Sequence, residues 1–116
     1  MKANELMIGD WVETPDYVTR VETIGPHAVL CEGIVRWLAI QEVQPVPLTP
    51  EILEKNGFEY NDMPFVMGWE QFGLTLYHGG DGYLINCGQN VAMKINAVHE
   101  LQHALRLCGV EKEIVL

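Results

Sequence analysis

The sequence predicts an α+β protein. It reads as an N-terminal SH3-like small β-barrel or meander, a short connecting helix, then an antiparallel β-meander packed by a C-terminal amphipathic helix. Three observations carry this expectation. Residues 6–43 hold short apolar stretches broken by turn signals at Thr14-Pro15-Asp16, Gly25-Pro26 and Gly33, the signature of a small all-β lobe. Residues 94–109, KINAVHELQHALRLCG, are the one segment with a clear helical repeat of apolar residues. Between these regions, Gln44-Pro45-Val46-Pro47-Leu48 imposes an extended path and marks a boundary. The expected organisation is therefore a β lobe over 1–44, a connector over 45–57, and a sheet with its helix over 58–116, with room for all three to share one core.

Within the first lobe, Ile8-Gly9-Asp10-Trp11-Val12 reads as a turn feeding a strand. Tyr17 to Ile24 follows, with Val18, Val21 and Ile24 as expected core residues. His27 to Glu32 and Ile34 to Ile40 are two further strands, hinged at Gly33. The proline pair of the connector is expected to end pairing. Thr49-Pro50-Glu51 then opens a short helix: the Thr49 hydroxyl can cap, Pro50 has no N–H to leave unpaired, and Glu51 suits the helix dipole. Ile52, Leu53 and Phe58 supply its apolar contacts, and Gly57 ends it.

The second lobe alternates. Phe58–Tyr60, Phe65–Trp69, Phe72–His78, Tyr83–Cys87 and Val91–Ile95 read as strands, with Phe72, Leu74 and Leu76 on one face and Thr75 and Tyr77 on the other. His78-Gly79-Gly80-Asp81-Gly82 is a glycine-rich hairpin turn. In the C-terminal helix, Asn96 is the expected N-cap and Gly109 the stop. Val98, Leu101, Ala104, Leu105 and Cys108 occupy an arc of about 120° at helical spacing, leaving His99, His103 and Arg106 on the opposite, wet side. Glu111 to Leu116 has the composition for a short edge strand.

Composition narrows the function classes. The chain has 116 residues, 48% apolar, and a net charge of −9 from seven basic and sixteen acidic residues. Affinity for nucleic-acid backbones comes from Lys and Arg, so this balance argues against direct nucleic-acid binding. No apolar run approaches the roughly 20 residues that span a bilayer, and no apolar signal core follows Met1-Lys2-Ala3-Asn4-Glu5. Cys31, Cys87 and Cys108 are widely spaced and form no C-x-x-C pair, which fits reduced, buried thiols in a cytoplasmic protein.

One arrangement resembles chemistry. His99-Glu100-Leu101-Gln102-His103 matches the H-E-x-x-H pattern, in which two histidines on one helical face hold zinc and the glutamate activates a bound water. The extended motif fails, because Arg106 and Gly109 stand where glycine and histidine would be needed. Upstream donors for a third ligand are His78, Asp81 and Cys87. The bland reading, two histidines four apart on a solvated face, is preferred. The 78–82 loop lacks the Walker sequence and a following helix, so it reads as a hairpin rather than a phosphate cradle. Cys87 with His78 could form a thiol–imidazole pair across the hairpin, although a buried strand cysteine is the simpler reading. Trp11, Trp37 and Trp69 could line a ligand groove on the barrel, although core is the simpler reading in a domain this small.

Three segments together resemble a known group. They are Ala3-Asn4-Glu5-Leu6 with Ile8-Gly9-Asp10-Trp11-Val12; Pro45-Val46-Pro47-Leu48-Thr49-Pro50-Glu51-Ile52-Leu53 with Gly57-Phe58; and Val98-His99-Glu100-Leu101-Gln102 with Leu105. The sequence resembles short uncharacterised proteins of Bacteroides-type gut bacteria, often associated with prophages or mobile elements. That group shares the His-x-Leu-Gln helix core but not the second histidine, so His103 departs from its pattern. The resemblance implies a cytoplasmic accessory protein without established activity.

The leading expectation is a non-enzymatic accessory or interaction module whose partner is a protein, with no cofactor, metal or membrane. The alternative is a minimal zinc hydrolase with His99 and His103 as ligands and Glu100 as base. A third possibility is an acidic mimic of nucleic acid.

Overall fold

The computed structural model describes residues 3–60, 64–67, 74–79, 82–87 and 92–116. It is α+β, with two antiparallel sheets, and the chain divides into two compact units, Met1–Val46 and Pro47–Leu116.

The first unit holds β1 (Trp11–Glu13), β2 (Val18–Ile24), β3 (Ala28–Cys31), β4 (Leu38–Ala39) and β5 (Gln44–Pro45), with a single 3-10 turn at Ile40–Glu42 between the last two. The strand order is β4-β3-β2-β1-β5. The sheet is open, since no ladder joins its edge strands β4 and β5. Leu6, Val12, Val21, Val29, Cys31, Leu38 and Val43 form the core of this unit.

Local chemistry explains the turns. Asp10 is fully buried. Its Oδ2 accepts from the Met7 N–H at 2.8 Å, and its carbonyl accepts from the Val21 N–H at 2.9 Å. The Met7 N–H on Oδ2 offsets part of the cost of burying this side chain, and the bond to the Asp10 carbonyl ties the turn to β2. The Thr14 hydroxyl donates to the Tyr17 carbonyl at 2.7 Å and accepts from the Asp16 and Tyr17 N–H groups. One hydroxyl thereby closes the β1–β2 turn around Pro15.

The first strand begins at Trp11, after a turn held by Asp10, as the Ile8–Val12 stretch suggests. Several sequence expectations need correction here. The stretch expected as a strand from Ile34 to Ile40 pairs only at Leu38 and Ala39. Gln44 and Pro45 do pair, with Glu13 and Val12; proline is tolerated there because β5 is an edge. Val18 is 42% exposed, whereas Thr19 and Val21 are buried. A register shift between Val21 and Thr23 breaks the simple alternation of β2. Trp37 is 51% exposed rather than core, and Trp69 lies outside the described residues.

The second unit begins with Pro47 and Leu48 running beside Asn96 and Ala97, with the Leu48 N–H on the Asn96 carbonyl at 3.0 Å. Helix α1 (Pro50–Lys55) starts as its sequence dictates: Thr49 Oγ1 accepts from the Ile52 N–H at 3.3 Å and Pro50 occupies the first turn. Leu53 and Phe58 are its buried anchors. Five strands follow: β6 (Phe58–Tyr60), β7 (Pro64–Met67), β8 (Leu74–Gly79), β9 (Gly82–Cys87) and β10 (Ala92–Ile95). They form an antiparallel meander in simple sequential order. The β8–β9 ladder runs from Leu74–Cys87 to Gly79–Gly82. Leu74, Leu76, Tyr83, Ile85 and Ile95 are buried, and Tyr77 and Leu84 face out. Phe72, Gly80 and Asp81 lie outside the described residues.

Helix α2 spans Val98–Leu107, a shorter helix than 94–109, because Lys94 and Ile95 belong to β10. Its end matches a Schellman stop: the Val110 N–H reaches the Leu105 carbonyl at 2.9 Å and the Gly109 N–H reaches Arg106 at 3.1 Å. That geometry needs a left-handed residue, and Gly109 has φ +74°. The 111–116 segment forms no strand. It is anchored by Ile114, 1% exposed, and by side-chain bonds from Asn56 and Lys55. Cys108 is in a disulfide, against the expectation of three reduced thiols, and Cys31 is a free, buried thiol.

Candidate functional site

Helix α2 carries the H-E-x-x-H match, and its surroundings change the meaning of each residue. Glu100 sits in the first turn. Its Oε1 accepts from the Asn96 N–H at 3.0 Å and the Ala97 N–H at 3.1 Å. The carboxylate therefore stabilises the helix start, in the reach-back half of a capping box. The N-cap position falls on Ala97, not Asn96. Alanine has no side-chain oxygen to offer the first-turn N–H groups, and Glu100 serves the N–H groups of Asn96 and Ala97 instead.

His99 is 6% exposed and Gln102 9%. The expectation that His99 faces solvent is corrected: with Val98, Leu101, Ala104 and Leu105 also buried, the covered arc widens to about 220° on the same helical wheel. His103 is half-buried, with its ring edge-on to that of His99 at a centroid separation of 5.6 Å. Arg106 is exposed.

The structure thus brings His99 and His103 together but commits Glu100 to the backbone. Among the described residues, no group of three or more His, Cys, Asp and Glu side chains is placed to hold a metal ion. Asp81, and the side chains of His78 and Cys87, fall outside what the structure describes. The suggested third ligand and the thiol–imidazole pair therefore lie outside it too.

A second candidate is the β3–β4 loop of the first unit, where Trp37 stands out of the core. Val35 is fully exposed at 103%, Trp37 is at 51% and Tyr17 at 47%. Three devices hold this loop. Tyr17 Oη donates to the Glu32 carbonyl at 3.4 Å, and Thr19 Oγ1 donates to the same oxygen at 2.9 Å. Arg36 Nη1 pairs with Glu42 Oε1 at 3.3 Å, while Glu42 Oε2 accepts from the Ala39 N–H. The Trp37 ring lies over Gly25, where an added Cβ would sit 3.4 Å from its edge. Nearby, Arg20 stacks 5.3 Å over Trp11 and reaches Glu32 at 3.3 Å. Exposed ion pairs of this kind contribute about 0–1 kcal/mol each, so they orient side chains more than they stabilise the fold. The signal available beforehand was the sequence Gly33-Ile34-Val35-Arg36-Trp37, an apolar run after a glycine that has no alternation to bury it.

No family model, curated protein or solved structure matches the chain. No helix among the described residues is long and apolar enough to cross a membrane.

Proposed function

We propose that this chain is a non-enzymatic accessory module, of phage or mobile-element origin, that works in the cytoplasm by binding a protein through the Val35–Trp37 loop. The observation that carries the reading is the pairing of full exposure with constraint: Val35 and Trp37 stand out in water on a loop tied down by Tyr17, Thr19 and Glu42. Apolar groups already held in place lose little further entropy on association. Tryptophan and arginine are the favoured anchors of protein interfaces.

An SH3-like architecture for the first unit is part of this proposal. Its support is the strand order with β1 between β2 and β5, and the 3-10 turn before the last strand. Small barrels of that kind serve many binding roles, so the fold supports an interaction module without naming its partner.

The test is affinity capture with the wild-type chain beside Trp37→Ala and Val35→Asp, quantified by mass spectrometry, with each variant's thermal stability checked. The expected result is a partner enriched by wild type and lost from both variants at unchanged stability. Equal recovery by all three chains, or hydrolytic turnover by the wild type, would overturn the proposal.

A further inference from the structure

We propose that Asn56–Gly57 is a deamidation site held inert by the docked 111–116 segment, so that release of that segment exposes the Asn56 amide and loss of the amide makes the release permanent. Residues 56 and 57 are the one Asn-Gly pair in the chain. Deamidation begins when the backbone nitrogen of the following residue attacks the asparagine Cγ. A following glycine, with no side chain in the way, is the most permissive neighbour for that approach.

The folded chain blocks the attack twice. The first block is backbone geometry. Asn56 has ψ 14°, so the Gly57 nitrogen nearly eclipses the nitrogen of Asn56 itself and lies away from its Cβ. Ring closure needs that nitrogen on the Cβ side, and the 56–57 peptide must turn about the Cα–C bond to bring it there. The turn is opposed, because the Gly57 N–H donates to the Glu54 carbonyl at 3.2 Å. The second block is the side chain. Nδ2 donates to the carbonyls of Ile52 and Val115, each at 2.8 Å, and Oδ1 accepts from the Val115 N–H at 2.8 Å. Asn56 is 2% exposed, which keeps water and base from the amide.

Two of these three side-chain bonds end on Val115, so the protection depends on the C-terminal segment staying in place. That segment forms no strand. Ile114 is buried, Val115 is itself exposed, and the Leu116 carbonyl is held by Lys55 at the surface. Segments held by few buried groups open locally without global unfolding. Opening at residues 114–116 frees Oδ1 and one Nδ2 hydrogen and admits water.

The reaction then balances as follows. Base removes the Gly57 amide proton, the nitrogen bonds to Cγ, and the Cγ–Nδ2 bond breaks as ammonia leaves. Water opens the cyclic imide to aspartate or isoaspartate. One water is consumed, one ammonia is released, and an amide becomes a carboxylate. The carboxylate has no N–H for the Ile52 and Val115 carbonyls, and their oxygens repel it, so the segment does not dock as before. The proposal concerns the second unit alone and is independent of the Val35–Trp37 loop.

The experiment follows residue 56 by peptide mapping and mass spectrometry during incubation in mildly alkaline buffer, with and without urea. In urea, Asn56 should be the first of the six asparagines to convert, and Gly57→Ala should remove that lead. Neither result depends on folding. Without urea, wild type should convert at least about tenfold more slowly, because only the open fraction reacts. Ile114→Ala removes the buried anchor of the segment and should convert about tenfold faster than folded wild type, at a temperature where circular dichroism shows the variant folded. Deamidated wild type, separated by ion exchange, should show faster hydrogen exchange across residues 111–116 and unchanged exchange in β9. Equal rates with and without urea would overturn the proposal, as would another asparagine leading in urea, Ile114→Ala converting at the wild-type rate, or unchanged exchange at 111–116 after deamidation. The urea comparison and the exchange measurement use wild type alone, so they decide the matter if Ile114→Ala does not fold.

Discussion

The Asn56 side chain bonds both main-chain polar groups of Val115. Nδ2 donates to the Val115 carbonyl at 2.8 Å, and Oδ1 accepts from the Val115 N–H at 2.8 Å. Nδ2 also donates to the Ile52 carbonyl at 2.8 Å, an oxygen at the end of α1 that accepts from the Asn56 N–H as well. One amide, 2% exposed, thus serves both as a helix terminator and as the strand partner that the C-terminal segment lacks. Asn56→Ala should cost about 2 kcal/mol, because the groups left behind are partly buried. Asn56→Asp should cost at least as much: it keeps the acceptor but places a negative charge against two carbonyls. Urea denaturation checks both. An aspartate variant as stable as wild type would show that the amide donor is not what holds residues 115 and 52 together.

Glu100 and the two histidines separate a helix role from a zinc role. Glu100→Ala should cost about 1 kcal/mol as a lost cap, and Glu100→Gln less, since glutamine can still reach back. His99→Ala should cost about 2 kcal/mol because its ring is buried, whereas His103→Ala should stay within about 0.5 kcal/mol. Elemental analysis of untagged protein should find well under one zinc per chain. Stoichiometric zinc that disappears in the His99→Ala/His103→Ala variant would restore the hydrolase reading. So would a Glu100→Gln variant that loses turnover while keeping its stability.

What the sequence made legible was chemistry confined to a few neighbouring residues. Thr49-Pro50-Glu51 predicts the start of α1 because cap, proline and dipole act within one turn. Gly109 predicts the end of α2 for the same reason. The alternation from Leu74 to Tyr77 predicts the faces of β8. The misses depend on partners distant in the chain. Burial of His99 depends on how widely the fold covers α2, which a helical wheel does not contain. Pro45 reads locally as a break, because its pairing with Val12 is set by a strand more than thirty residues earlier. Residue type alone puts Trp37 in the core, whereas its exposed ring is placed against Gly25.

The Tyr17–Gly33 approach is the most sensitive point of the Val35–Trp37 loop. Gly33 has φ +78°, and a Cβ there would overlap the Tyr17 phenol oxygen. Gly33→Ala should therefore cost about 1 kcal/mol from the left-handed backbone, plus displacement of the phenol. Tyr17→Phe removes only a long, exposed hydrogen bond and should change stability by less than about 0.5 kcal/mol. Hydrogen exchange should show faster amide exchange across residues 32–37 in Gly33→Ala and little change in Tyr17→Phe. Unchanged exchange in Gly33→Ala would mean that the loop is not seated by this contact, and it would weaken the constraint on which the binding proposal rests.

Cys31 gives the protein an alkaline limit. Burial, and then the Glu22 carboxylate, push its thiol above the ordinary value of 9.0. The Tyr83 phenol is likewise pushed above 10.0 by burial and then by Glu51. Each group is raised in the folded state, so the unfolded chain ionises first and binds fewer protons as pH climbs. Stability is then flat with respect to these groups below about pH 9 and falls above it, by up to about 1.4 kcal/mol per pH unit for each group titrating. Cys31→Ala should be the less stable chain at pH 7.5, because it leaves a cavity in the first unit. It should nevertheless lack the first part of the alkaline decline, so the gap between wild type and variant narrows from pH 9 upward. Denaturation midpoints at half-unit steps from pH 7.5 to 10.5 measure that gap. A gap that stays constant across the range would show that the Cys31 thiol ionises alike in the folded and unfolded chain, and that its burial carries no electrostatic cost.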